Sequence, residues 1–280
     1  LYKGKASVMD GEFSFSFVVP KDIAYNYGDG KISYYLDNGA VDGHGYFDGF
    51  KIGGTLQDYT PDDSGPQVQL FMNDTTFLSG GITNENPVLL ALINDHSGIN
   101  ITGRIGHDIV AFLDGDLSSP YVLNQYFQAD QDAYQSGKVI FPFFNLEDGP
   151  HTLSLRVWDI HNNPTLETLD FIVQSSAQLA LKDLMNYPNP FSSHTRFVFS
   201  HNQSSQPMEV QIDIFDMNGR LLQSLHSQMQ SAGYQSPPVS WDGRDHAGKP
   251  LGNGIYIYRL TLNAPSGEVL QQTRKLVILR

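Results

Sequence analysis

Cysteine is absent from the 280 residues of this sequence. Without a thiol, the chain can form no disulfide framework, no thiolate metal site and no cysteine nucleophile of its own. Cysteine usage therefore does not indicate the compartment in which the protein works. Long apolar runs are missing as well, since no stretch approaches the roughly 20 residues that a membrane-spanning helix requires.

The sequence also lacks the features of a secretory leader. Leu1 is not an initiator methionine, and no basic segment followed by an apolar segment comes after it. We therefore expect these residues to be a piece of a longer protein.

Basic residues are scarce, with 17 Lys and Arg against 30 Asp and Glu and a formal net charge of −13. A protein that binds nucleic acid needs a basic face toward the phosphates, so this class is disfavoured. The charge is also uneven. Residues 181–280 hold nine basic and seven acidic side chains, a net of +2, and the other residues hold eight and 23, a net of −15. This balance favours solubility at a surface.

Alternation of apolar and polar residues is the clearest pattern present, above all after residue 180. Residues 195–200 place Phe197 and Phe199 on one face, at the period of two that a strand requires. Asn218-Gly219 is a dipeptide that accepts positive φ in a tight hairpin. About seven strands and no helix are predicted over residues 181–280, which is typical of an immunoglobulin-like (Ig-like) β-sandwich. The other strands predicted there are 210–215, a segment beginning at Leu221, 255–262 and 272–279.

Two further strand-rich regions come before this one, so the predicted fold class is all-β, with tandem Ig-like β-sandwich domains. Residues 66–174 are predicted to form a second sandwich, with residues 118–135 as surface loops. Residues 1–57 are predicted to be a partial β-sheet that continues an upstream domain. The strands predicted for these two regions are 13–17, 31–36, 46–52, 68–71, 88–93, 109–113, 137–144, 151–158 and 166–173.

The boundaries between these regions are predicted from turn-rich stretches of sequence. Residues 58–66 are polar and unpatterned, and residues 175–178 form a short linker. Trp241 is predicted to be the large core residue of the last sandwich, with its indole N–H in need of a partner. Tyr256 and Tyr258 lie at the same alternating strand positions as Leu260 and Leu262, so they are predicted to be core residues as well.

Candidate chemistry is sparse. His194 and His201 flank a strand, and His246 lies near Asp242 and Asp245, but no motif typical of hydrolases or zinc peptidases is present. The two aspartates are predicted to accept backbone N–H groups in a turn. We therefore assign no catalytic residue.

Calcium is the one cation for which candidates exist, since it prefers six to eight oxygen ligands. The two candidate groups do not match the twelve-residue EF-hand loop, and aspartates also cluster in ordinary solvated turns. No metal-ligating residue and no cofactor are therefore assigned. These two groups are Asp58 with Asp62 and Asp63, and Asp114 with Asp116.

Tyrosine pairs offer a further candidate site. Tyr34 and Tyr35, or Tyr25 and Tyr27, would suit a platform for stacking sugars, although tyrosines at alternating strand positions are more often packing residues.

The last region carries a motif set whose order and spacing resemble the C-terminal sorting domain of proteins exported by the type IX secretion system. The upstream sequence at residues 11–23 and 30–35 resembles the region that follows the peptidase domain in that system's gingipain-related signal peptidase, or sortase. The motif residues are Tyr187, Pro188, Asn189, Pro190, Phe191, Asp216, Gly219, Arg220, Trp241, Gly243, Gly248, Gly254 and Tyr256.

This resemblance implies a non-catalytic C-terminal region of a surface peptidase whose cysteine and histidine lie in a caspase-like domain elsewhere. It also implies cargo proteins as partners of the parent peptidase, and an outer-membrane β-barrel of the PorV type as the partner that holds the last domain. No catalytic residue can be carried over, because this sequence has no cysteine.

The final strand is the candidate docking element. It combines apolar residues with Arg274, Lys275 and Arg280, in the part of the chain that is net basic. An edge strand offers unpaired backbone groups to a partner. A final strand that only completes the sandwich is the alternative.

Two other functions remain open. One is a carbohydrate-binding or structural accessory region of another exported surface protein. The other is an ordinary exported cargo, in which the last domain would be removed by cleavage within residues 175–182.

Overall fold

The computed structural model describes residues 2–23, 26–54, 61–103, 106–176 and 178–280. These residues form eighteen β-strands and one three-residue 3₁₀ turn, Asn124–Tyr126. The prediction of an all-β chain built from tandem β-sandwiches is therefore confirmed. Within the described ranges, no helix has the length and apolar character needed to cross a membrane.

An antiparallel hairpin of β1 (Gly28–Asp37) and β2 (Asp42–Ile52) is the N-terminal sheet. The strand predicted at Phe13, Phe15 and Phe17 is wrong, because these residues pair with no strand. Their rings stack instead, with centroids about 6.3 to 6.4 Å apart. Alternation places side chains on a shared face, but it does not say whether a neighbouring edge is available for backbone pairing.

The middle sandwich has two sheets with the strand orders β4-β11-β10-β6-β7 and β3-β5-β9-β8. Its neighbouring strands are antiparallel, except that β4 pairs in parallel with β11. Its strands are β3 (Gln67–Met72), β4 (Gly81–Thr83), β5 (Val88–Asn94), β6 (Val110–Leu113), β7 (Tyr121–Val122), β8 (Phe127–Ala129), β9 (Ser136–Pro142), β10 (Gly149–Trp158) and β11 (Pro164–Val173).

The core of this sandwich lies where the inward faces of β5 and β10 meet. Every second residue is buried in β5 and, from Leu153 onward, in β10, as in Leu89 and Ile93 of β5 and Leu153 and Leu155 of β10. Burying a side chain of this size stabilises the folded state by about 1.5 to 3 kcal/mol. The alternation of apolar residues therefore fixes which face of each strand points inward.

Residues 118–135 are more than the surface loops predicted from their polar composition. They contain β7, β8 and the 3₁₀ turn, and they bury Leu123 completely and Phe127 almost completely. A few apolar residues within a polar, turn-rich segment were enough to attach it to the core.

The last sandwich has seven strands in sheets of order β12-β13-β16 and β15-β14-β17-β18. Ile212 and Leu260, on the inward faces of the larger sheet, are fully buried, and Phe197 of the smaller sheet packs in the same core. The strands are β12 (Leu181–Tyr187), β13 (Thr195–His201), β14 (Met208–Phe215), β15 (Leu221–Met229), β16 (Val239–Trp241), β17 (Gly254–Asn263) and β18 (Val269–Ile278).

Candidate functional site

The Tyr187–Phe191 motif leaves β12 and lies against the end of β18. Phe191 N–H donates to Val277 O at 3.1 Å, and Leu279 N–H donates to Phe191 O at 2.9 Å. The Asn189 side-chain oxygen accepts the Val277 N–H at 2.9 Å. The proline corner therefore covers the C-terminal part of the β18 edge.

Trp241 is 3% exposed, which confirms its predicted place in the core. Its indole N–H donates to Arg244 O at 3.0 Å, so the buried polar atom has a partner. Its ring meets Phe191 edge-on at 5.7 Å between centroids and lies 6.5 Å from Phe197. The motif residues Phe191 and Trp241, distant in sequence, therefore form one aromatic cluster at the end of the sandwich.

Gly243 and Arg280 meet in the same corner. Gly243 has a φ of +70°, and a Cβ there would come within 2.9 Å of Arg280 Nη2 and 3.1 Å of the Phe191 ring. The Arg280 guanidinium donates to Gly243 O at 3.0 Å and to Ser192 O at 2.9 Å. Arg280 is thus engaged by its own domain, although it was expected to face a partner.

The remaining motif residues build turns. Asp216 accepts the backbone and side-chain N–H groups of Arg220, and Gly219 between them has a φ of +81°. The Tyr256 hydroxyl donates to Gly252 O at 2.9 Å. Gly254 pairs with Ile278. These residues hold the loops of the last sandwich in place.

The turn from Trp241 to Gly248 forms as predicted. The Asp242 side chain accepts the Arg244 N–H at 3.2 Å, and Asp245 accepts the N–H groups of Ala247 and Lys249 at 3.0 and 2.9 Å. Gly248 has a φ of +77° in this turn.

The other two docking candidates lie on β18 at the point where its open edge meets the proline corner. Arg274 and Lys275 are exposed, and β18 pairs with β17 along its whole length. In the described part of the chain, only the proline corner approaches the opposite edge of β18, and it does so near residues 275–279, where Asn189 Nδ2 donates to Lys275 O at 3.3 Å. The edge from Val269 to Arg274 is therefore open.

The candidate histidines do not converge on one site. His201 is fully buried, its Nδ1 accepts the Gln203 N–H at 3.2 Å, and its Nε2 lies 2.9 Å from Ser231 Oγ. Burial lowers the pKa of His201 to about 4, which keeps the ring neutral. His194 is exposed beside Ser193, and His246 contacts Leu222 O. None of the three is placed for hydrolysis.

The described calcium candidates include two aspartates that are bound to neighbouring protein groups. Asp58 lies outside the described residues, and Asp63 is exposed. Asp114 binds His151 Nδ1 at 2.7 Å and accepts the Thr152 N–H at 2.9 Å. Asp116 accepts the hydroxyl and N–H of Ser118, and these hydrogen bonds lower the pKa of its carboxyl. Asp114 and Asp116 thus stabilise loops.

Asp62 belongs to a different cluster, which the sequence did not predict. Its carboxylate lies 3.8 Å from His161 Nδ1, and the Asp159 carboxylate lies 4.0 Å from the same nitrogen. Burial raises the pKa of the Asp159 carboxyl, and the charge of Asp95 adds to this effect. Asp159 and His161 directly follow β10, and a carboxylate and an imidazole so close in sequence could have indicated a candidate site. Their proximity to Asp62, however, arises only in the folded structure.

Tyr34 and Tyr35 do not form a platform. Tyr34 and Tyr35 are neighbours on β1 and so point to opposite faces. Tyr34 packs against Phe13 at 5.6 Å between ring centroids, and the Tyr35 hydroxyl donates to Asp42 at 2.8 Å. Tyr27 is exposed, and Tyr25 lies outside the described residues.

Asn202 holds the junction between the middle and last sandwiches. Its carbonyl oxygen accepts the Ala180 N–H at 2.9 Å. Its amide donates to the backbone carbonyl oxygens of Gln174, Ser175 and Gln178 at 3.2, 3.0 and 2.7 Å. Because Asn202 is fully buried, these bonds are shielded from water.

Tyr234 connects the two sandwiches directly. This residue of the last sandwich is 3% exposed and lies in the core cluster of the middle one. Its hydroxyl donates to Asn84 Oδ1 at 2.9 Å, and burial raises its pKa. The Lys182 ammonium donates to Gly80 O at 2.5 Å across the same interface.

Residues 187–267 match the FlgD Ig-like domain family. Together with the observed strand order, this match places the last sandwich in the Ig-like class. No curated protein sequence matches the chain.

A more particular resemblance is to PorU from Porphyromonas gingivalis, described as dimeric and latent. PorU is 34% identical over 98% of this chain, with a TM-score of 0.42. The chain spans only 26% of PorU, about a quarter of its length.

Two surface proteins show a looser likeness. A tetra-tandem repeat from the extending region of a large adhesion protein is 14% identical over 98% of this chain and 62% of its own, with a TM-score of 0.29. The BSP domain of a biofilm-associated protein is 13% identical over 72% of this chain and 28% of its own, with a TM-score of 0.26.

Proposed function

We propose that these residues are a non-catalytic C-terminal region of a cell-surface signal peptidase (sortase) of the type IX secretion system. The last sandwich, a sorting-like domain, docks the parent protein on an outer-membrane β-barrel of the PorV type. The 34% sequence identity to PorU over nearly the whole chain supports the first part. The cysteine-free sequence leaves peptidase chemistry to other parts of the parent.

The observation that carries the docking proposal is the open edge of β18. The outer backbone groups from Val269 to Arg274 pair with no second strand in the described part of the chain, so they offer hydrogen bonds to an added strand or loop. One of them, Thr273 O, accepts the Arg274 guanidinium at 3.2 Å. Arg274 and Lys275 add positive charge in the one region that is net basic. Arg280 is left out of the docking surface, because its guanidinium is bound to Gly243 and Ser192.

The junction favours retention of the last sandwich over its removal. A peptidase must bind its substrate chain in extended form, and Asn202 binds the backbone of Gln174, Ser175, Gln178 and Ala180 within the protein. Glu85 also binds the N–H and hydroxyl of Ser176 at 2.7 and 2.8 Å. An exported cargo with a removable domain would need this junction to open.

Capture of the chain by a purified PorV-type barrel tests the proposal. The double variant Arg274→Glu/Lys275→Glu should lose capture, because it reverses the charge beside the open edge. Arg196→Glu/Lys249→Glu is the matched control, since it makes the same charge change at exposed positions away from β18 and should be captured like the wild type.

Charge reversal is a sharper test than truncation at residue 178. Truncation removes Tyr234 from the core of the middle sandwich and so disturbs two domains. Equal capture of wild type and Arg274→Glu/Lys275→Glu would exclude the β18 edge as the docking surface. Equal loss in both double variants would show that binding depends on overall charge alone.

A further inference from the structure

Three polar side chains converge at one end of the middle sandwich. Asp62 lies in the segment that enters β3, and Asp159 and His161 lie directly after β10. Asp62 Oδ2 and Asp159 Oδ2 are 3.8 and 4.0 Å from His161 Nδ1. One ligand atom from each residue lies within 4.8 Å of the other two.

The Asp159 carboxylate is fixed by its own turn. Its Oδ1 accepts the N–H groups of His161 and Asn163 at 2.9 and 2.6 Å, and its Oδ2 accepts Asn163 Nδ2 at 2.8 Å. A carboxylate has about four acceptor positions, so Oδ2 retains one. Asp159 is fully buried, and a carboxylate held this firmly is preorganised as a ligand.

The surroundings are rich in negative charge. A cavity of about 610 Å³ borders the cluster and is lined by Asp62 and Asp95, and Asp95 is itself only 6% exposed. The basic side chains that line it are His96 and His161, and no Lys or Arg does so in the part of the chain that the structure describes. Buried carboxylates without a fixed cation nearby favour the binding of a positive ion.

We propose that Asp62, Asp159 and His161 bind a divalent transition-metal ion, with zinc as the model ion and His96 or water completing its coordination. The imidazole decides the class of metal, because calcium prefers oxygen ligands alone. Zinc binds nitrogen and oxygen at about 2.0 to 2.2 Å, which places neighbouring ligands of a tetrahedron about 3.4 Å apart. The observed distances of 3.8 and 4.0 Å need only a small contraction.

The ion would join the segment that enters the middle sandwich to the loop that leaves β10. An ion that binds only the folded state stabilises it by mass action. Removal of the metal should therefore lower the melting temperature of the chain, although the rest of the fold does not need the ion.

Calorimetric titration of the full chain with zinc chloride, after removal of metals with a chelator, tests the site. Wild type should bind a single ion, and zinc but not calcium should raise its melting temperature. Asp62→Asn and His161→Gln should each weaken binding by at least about tenfold, since even the outer-shell partners of a metal contribute that much. His151→Gln is the control, because it removes a histidine of the same sandwich that is bound to Asp114, and it should bind zinc like the wild type.

Histidine ring signals in the NMR spectrum of the wild type give a second measurement. This measurement needs no variant, so it holds even if the variants fail to fold. Zinc should shift the signals of His161, with or without those of His96. No zinc binding, undiminished binding in both ligand variants, stabilisation by calcium alone, or shifts confined to other histidines would each overturn the proposal.

Discussion

Among single residues, His201 shows most directly how burial determines chemistry. It lies in the last sandwich with both ring nitrogens in contact with protein groups and no access to solvent. The sequence showed only a histidine beside a strand, without a hydrolase motif around it. Only the fold reveals that the ring is a neutral core residue.

The lowered pKa of His201 predicts that stability depends on pH. The folded pKa is about 4 and the ordinary value is 6.5, so the unfolded chain binds more protons between these values. Stability is therefore fully present above pH 6.5 and is lost as the pH falls toward 4, by an amount on the order of 3 kcal/mol.

Chemical denaturation of wild type and His201→Gln from pH 7.5 to pH 4 measures this effect. The wild type should lose stability over this range, and the variant should lose less. Equal pH dependence in the two proteins would show that His201 is not the group responsible.

Trp241 gives a second prediction at this scale. Trp241→Ala removes a buried indole and should cost about 3 to 5 kcal/mol of unfolding free energy, because the cavity in the aromatic corner cannot close fully. Trp241→Phe keeps most of the ring contacts with Phe191 and should cost less. A loss below about 1 kcal/mol for the alanine variant would contradict the core role of Trp241.

At the scale of elements, the strands of the two sandwiches were the most predictable part of the molecule. β10, β13, β14 and β17 alternate cleanly because one of their faces is buried against the opposite sheet. The segment at Phe13 to Phe17 alternates equally well but forms no strand, since pairing depends on a neighbour that alternation does not specify. The cluster of Asp62, Asp159 and His161 could not be predicted, because it joins residues from separate parts of the sequence.

The junction is the element whose behaviour the structure predicts most specifically. Asn202→Ala removes the side chain that binds the backbone of Gln174, Ser175, Gln178 and Ala180, so a broad-specificity protease should cut the junction several times faster than in wild type. Asn253→Ala is the control, because that asparagine binds Arg280 at the other end of the domain.

The cut sites can be mapped by mass spectrometry of timed digests. New cleavage within residues 174–182 in Asn202→Ala alone is the expected result. Identical digestion of wild type, Asn202→Ala and Asn253→Ala would mean that Asn202 does not protect the junction.

At the scale of the whole molecule, Tyr234 makes the middle and last sandwiches thermodynamically dependent on each other. Its ring belongs to the core of one sandwich and its backbone to the other. We expect wild type to unfold these two sandwiches in one transition. Tyr234→Ala should separate the transitions, since it removes a shared anchor worth about 3 to 5 kcal/mol in a core. Calorimetry that shows the same single transition in both proteins would contradict this coupling.

The proposed docking of the last sandwich on an outer-membrane β-barrel uses the open edge of β18. Site-specific photo-crosslinking in cells tests it most directly, with the reactive residue placed at Thr273 on β18 or at Gln228 on β15. Both positions are exposed on opposite edge strands of the same sheet, so they differ mainly in which edge they probe. A crosslink to the PorV-type barrel from position 273 and none from position 228 is the predicted result. A crosslink from position 228 alone, or from neither position, would contradict the claim.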